Sequence, residues 1–88
     1  MSSAERWPLT LSVDELDSET RAEANLTMDG DHLSGRGTAR RNPADRNVTK
    51  IGEQIAVARA LSDLAHRLLL TAAADIEGIT HERARLHL

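Results

Sequence analysis

Eighty-eight residues and 9.6 kDa allow one small domain, and 40% apolar against 28% charged residues at a net charge of −3 describe a chain that folds. The absence of cysteine excludes disulfides, thiolate zinc sites and cysteine nucleophiles. Thirteen residues are alanine and the only aromatic one is Trp7, so the monomer's core is thin and a homodimer is the expected supplement.

Residues 1–6 are polar and read as a disordered N-terminus, with a single domain expected over 7–81 and a tail over 82–88. With no secretion signal and no apolar stretch of membrane-spanning length, the expectation is a cytoplasmic protein without membrane partners. Trp7, Leu9, Leu11 and Val13 alternate with polar residues as in a half-buried strand. A polar turn over Asp14–Glu19 follows. Alternation then resumes at Ala22, Ala24, Leu26 and Met28, a second strand, and Asp29-Gly30 predicts a type I′ turn into a third. That strand carries Leu33, Gly35, Gly37 and Ala39 on one face and Ser34, Arg36, Thr38 and Arg40 on the other. Two glycines inside a strand predict the close passage of another backbone, here a crossing helix.

After the turn-rich connector Asn42–Asn47 the period changes. Ile51, Ile55, Ala58, Leu61, Ala65, Leu68, Ala72 and Ile76 recur at spacings of three and four, with Glu53, Ala60, Asp63, Arg67 and Ala74 around the other side, as in a long amphipathic helix. Asn47 or Thr49 is the expected cap and Gly78 the candidate stop, the alternative being that Asp75 to His81 continues as a second helical turn after a break, so that the tail is short and helical or extended. The tail alternates Ala84, Leu86 and Leu88 with Arg83, Arg85 and His87, as an extended arm would. The fold class is α+β: a two-layer, three-stranded antiparallel β-meander covered on one face by a long C-terminal helix. Leu69 and Leu70 are neighbours and cannot both face the sheet, which leaves one for the tail or a partner subunit.

Charge is uneven along the chain. Residues 1–35 hold eight acidic and two basic groups, whereas residues 36–50 hold Arg36, Arg40, Arg41, Arg46 and Lys50 against Asp45 alone. These five residues are the candidate nucleic-acid contacts, since a basic patch beside a helix N-terminus suits phosphate. The competing reading is that Arg36 and Arg40 face the same way as Glu23 and are neutralised within the sheet. Single-stranded nucleic acid is disfavoured, because base-stacking platforms need more aromatic side chains than Trp7.

Other constellations carry less. Gly35-Arg36-Gly37 lacks the third glycine of a dinucleotide loop, and Glu77 with His81 makes two metal ligands without a third. Ser62, Asp63 and His66 hold triad residue types inside one helical stretch, without the geometry of a triad. Arg59, Asp63 and Arg67 read as a solvated charge ladder. The expectation is a non-enzyme with no cofactor, no metal and no small-molecule substrate.

The run Gly35-Arg36-Gly37-Thr38-Ala39-Arg40-Arg41-Asn42-Pro43-Ala44-Asp45-Arg46-Asn47-Val48 resembles the signature of a family of small actinobacterial proteins of unknown function with a double-stranded-RNA-binding-domain-like fold. Ile51-Gly52-Glu53, Ala58–Leu64, Asp75-Ile76-Glu77 and Thr80-His81 extend the resemblance over about Trp7 to Leu86. It implies the same meander and helix, and some members are associated with dormancy and form dimers resembling ribosome hibernation factors. The ribosome or structured RNA is the partner this implies; a protein-interaction homodimer without nucleic acid is the alternative. Two departures matter: RNA-binding versions of the fold open with a helix where this chain opens with a strand, and their last helix begins with more basic residues than Lys50 alone.

Overall fold

The two-residue alternation produces three strands, β1 (Leu9–Leu16), β2 (Glu19–Met28) and β3 (Asp31–Arg40). In the computed structural model, which describes residues 4–40, 49–80 and 86, they pair antiparallel in the order β1-β2-β3. The register sets Leu11 opposite Ala24 and Ala24 opposite Gly35, so the apolar positions of all three strands share one face. The expected turn over Asp14–Glu19 shrinks to Asp17-Ser18, because Asp17 adopts the left-handed conformation (φ 57°) that a short polar side chain tolerates. At Asp29-Gly30 only Gly30 is left-handed (φ 79°). Type I′ requires positive φ at both positions, so the expected two-residue hairpin forms with another turn type.

Helix α1 (Thr49–Thr80) runs for 32 residues, about 48 Å at 1.5 Å per residue. It passes Gly78, the candidate stop, without a break. A lone glycine costs a helix only about 1 kcal/mol relative to alanine, too little to end one this long. Asn47, the alternative cap, lies outside the described residues, as does the tail apart from the exposed Leu86.

The glycines of β3 decide how α1 docks. A Cβ at Gly35 would collide with the Ala60 carbonyl and the Leu64 backbone, and one at Gly37 with the Ala56 carbonyl and the Ala60 amide. The helix backbone therefore lies directly on the strand, as the paired glycines predict. Ala22, Ala24, Leu26, Ala39, Ala56, Ala60 and Leu64 form the buried core, with Met28, Leu33, Val57 and Leu68 partly buried around it.

This docking reverses the expected orientation of the helix. Ala60, assigned to the side away from the apolar stripe, is fully buried, whereas Ile51, Ile55, Leu61 and Ile76 of the stripe are exposed. Close backbone contact at Gly35 and Gly37 favours small Ala56 and Ala60 on this face, with Leu64 its one larger buried side chain, and the isoleucines of the stripe turn outward. The helix lies over β3 and β2 and barely reaches β1. Leu9, Leu11 and Val13 consequently remain 47, 46 and 37% exposed on the sheet face that the helix otherwise covers.

The two sheet edges differ as well. On β3 the outward Arg36 N–H donates to the Asp63 carboxylate at 2.9 Å, and the Arg59 guanidinium donates to the Thr38 carbonyl at 2.7 Å. On β1, Thr27 N–H of β2 donates to Pro8 O at 2.9 Å; by strand alternation Leu9, Leu11, Val13 and Glu15 turn their main-chain groups to the free edge. Helix side chains occupy the middle of one edge, and among the described residues none does so on the other.

Candidate functional site

Of the five basic candidates, Arg36, Arg40 and Lys50 fall on described residues; Arg41 and Arg46 lie outside them. Strand alternation turns Arg36 and Arg40 to the sheet face opposite the helix. Arg36 Nε meets Glu23 Oε2 at 3.1 Å across the β2–β3 pair, so the intramolecular pairing read from the sequence is present. That bridge is open to solvent, with the Arg36 side chain 80% exposed. Exposed pairs of this kind contribute little and are screened by salt, so a phosphate can compete for the guanidinium.

Arg40 ends β3 opposite Glu19, whose carboxylate instead takes the Arg21 guanidinium at 3.0 Å. Lys50 is exposed in the first turn of α1. Gly52, two residues on, lies against Thr20, which pairs with Ala39. The end of β3 and the start of the helix therefore share one end of the molecule, and Arg40 and Lys50 with them.

Two further basic residues extend along the same flank. Arg59 reaches the Thr38 carbonyl, and Arg67 pairs with Asp63 at 3.1 Å. Read from the sequence, both belong to a solvated ladder; Arg67–Asp63 is that ladder, but Arg59 leaves it for the β3 edge. Asp63 receives the Arg36 backbone N–H and the Arg67 side chain, in that order of effect, and both hold its carboxyl below the ordinary value. Glu23 is lowered likewise, first by the Asn25 side chain and then by Arg36. Only the i,i+4 spacing of Asp63 and Arg67 is legible in one dimension; the reach of Asp63 and Arg59 to β3 crosses more than 20 residues of chain.

The open sheet face is mixed in charge. Ser12, Asp14, Arg21, Glu23, Arg36 and Thr38 line a shallow depression of about 440 Å³ there, without an enclosed cavity. Among the described residues no three His, Asp or Glu side chains gather as metal ligands. Ser62, Asp63 and His66 form no hydrogen-bonded relay, since Asp63 is engaged with Arg36 and Arg67. No helix of the described residues is long and apolar enough to cross a membrane.

Comparison with known proteins follows the same architecture. A crystal structure of Rv2632c superposes with a TM-score of 0.85 at 41% identity, covering 92% of this chain and 96% of that one. The uncharacterised protein Mb1767 of Mycobacterium bovis is 50% identical over 82 residues, 93% of this chain and 87% of that protein. The uncharacterised protein Rv2632c of Mycobacterium tuberculosis is 47% identical over 70 residues, 80% of this chain and 75% of its own length. The Rv2632c-like family model matches residues 5–85. The three-stranded meander under one long helix is the double-stranded-RNA-binding-domain-like fold, and the chain belongs to the Rv2632c-like family.

Proposed function

We propose that the protein is a small binding protein that engages structured RNA, the ribosome foremost, through the basic flank where β3 meets the start of α1. The observation that carries this reading is the placement of Arg40 and Lys50, exposed at one end of the molecule on either side of the connector that holds Arg41 and Arg46. Arg36 joins them once phosphate displaces Glu23. Duplex or folded RNA is read largely by shape and phosphate, which suits a surface without stacking aromatics. A role in stress or dormancy is what the family resemblance implies.

Co-sedimentation with ribosomes at low and near-physiological salt tests the reading, comparing wild type with Arg36, Arg40 and Arg41 all changed to Glu. Contacts to phosphate steepen the log-log salt dependence by about 0.7–0.9 per contact. Wild type should pellet, weaken steeply with salt and be released by the substitutions. Failure to pellet at low salt overturns it.

A second reading has its own observation. The bare side chains of Leu9, Leu11 and Val13 and the outward apolar residues of α1 support a homodimeric protein-interaction module that binds no nucleic acid. Here the arginines serve pairing within the chain, as Arg36 does with Glu23.

A further inference from the structure

The sheet face turned away from α1 carries its ionised residues in balance. Strand alternation places Asp14 of β1, Glu19, Arg21 and Glu23 of β2, and Arg36 and Arg40 of β3 on it. With His32 neutral, three carboxylates stand against three guanidiniums, so the face exerts little net pull on a polyanion at a distance. The pairing within it is specific. Glu23 Oε2 takes Arg36 Nε at 3.1 Å, and Glu19 Oε1 takes Arg21 Nε at 3.0 Å. Among the described residues neither guanidinium side chain has a second partner, although the group carries five N–H donors.

We infer that this face is a latched extension of the RNA-binding flank: Glu23 and Glu19 occupy Arg36 and Arg21 in the free protein, and RNA phosphates displace them once Arg40 and Lys50 hold the RNA. The inference deepens the RNA reading above and rests on it, and it adds Arg21, which lies outside the basic run of residues 36–50, to the contacts. Continuity is the first argument. Glu19↔Arg40, Arg21↔Thr38 and Glu23↔Arg36 are successive cross-strand pairs on this face, so the latched arginines begin beside the anchor. Arg21, Glu23 and Arg36 also line the one shallow depression described above, where a phosphate reaches both guanidiniums without entering a cavity.

Reversibility is the second argument. A carboxylate and a phosphate offer a guanidinium the same kind of acceptor, so the exchange leaves no donor unpaired. Glu23 has a further hold of its own: the Asn25 side chain donates to it, and Ser34 Oγ donates to Asn25 Oδ1 at 2.7 Å. Its carboxylate therefore keeps a partner when Arg36 leaves, and what is lost is one solvent-open ion pair. Competition is the third. A glutamate in the same sheet acts at the high effective concentration of an intramolecular group, which a free anion does not match. An RNA already anchored at Arg40 and Lys50 does match it, so the latches yield to a tethered polyanion and stay closed to scattered phosphate.

Fluorescence anisotropy with a dye-labelled RNA duplex of about 16 base pairs, at low salt, tests the inference, with circular dichroism to show that each variant folds. Glu23→Gln and Glu19→Gln should each tighten binding about two- to fivefold, the strength of an exposed ion pair. The gain from Glu23→Gln should vanish when Arg36→Gln is added and persist when Arg21→Gln is added instead. For Glu19→Gln the dependence should be the reverse. A Kd unchanged by both glutamate substitutions, or gains that survive loss of the partner arginine, overturns the latch and leaves the RNA reading standing. If neither wild type nor the glutamate variants bind the duplex or pellet with ribosomes at low salt, the RNA reading falls and the latch with it.

Discussion

The two faces of α1 are both apolar, yet they use opposite means. The inner face is built of alanine and one leucine, and it is closed because Gly35 and Gly37 admit the helix backbone itself. The outer face carries the larger isoleucines and leucines and stays bare within the monomer. Side-chain size therefore does not tell which face meets the sheet; the room left by the strand does. Tight contact between small residues recovers through dispersion what it lacks in buried area per residue.

The sharpest way to break this comparison is to fill the room on β3. Gly37→Val places a branched side chain where the Ala56 carbonyl and the Ala60 amide already lie, with no flexible neighbour to give way. Urea denaturation should show a loss of about 3 kcal/mol or more, the upper range of overpacking, or no cooperative transition at all. A variant with wild-type stability would mean that the helix does not lie on the strand.

Next is Leu64→Ala, which leaves the backbone contact intact but empties the largest side chain of the inner core. The expected cost is about 2–5 kcal/mol, unchanged by protein concentration. Ile55→Ser on the outer face should differ in kind. In an isolated chain it falls within about 0.5 kcal/mol of wild type, as exposed substitutions do. If the outer face is paired between copies, thermal melts of wild type should rise with concentration more steeply than those of the variant.

The smallest effect concerns pH. Folding lowers the carboxyls of Asp63 and Glu23, so the stability they contribute is present above their unfolded values and is lost as pH falls through the folded ones. Wild type should therefore weaken below about pH 4 in acid titrations followed by circular dichroism. Asp63→Ala should be less stable at neutral pH and should show a shallower acid decline. An unchanged acid profile would detach Asp63 from the β3 edge.

Much of the architecture was legible in one dimension. Alternation marked the three strands, Asp29-Gly30 marked the hairpin, and the paired glycines of β3 marked a helix crossing. That Arg36 and Glu23 share a sheet face followed from strand parity, and the register then sets them opposite each other. The face by which the helix docks was not legible, because periodicity weighs large apolar residues and passes over Ala56 and Ala60. The seal on β3 was missed for another reason: Asp63 and Arg59 act across more than 20 residues of chain, and no local spacing encodes that reach. Of the candidate site, the basic cluster was visible as a charge count, but its division into a paired Arg36 and the outlying Arg40 and Lys50 required three dimensions.

The seal on β3 also orders events in time. Its donor and acceptor lie on the strand while their partners lie on the helix, so the hairpins can form from neighbouring residues before that edge is closed. Until α1 arrives, a finished sheet has two sticky sides instead of one. Translation places the helix last, so strands that paired before α1 emerged would carry both edges unpaired. The polar and charged side chains that punctuate all three strands are of the kind that discourage pairing with another chain while an edge is exposed.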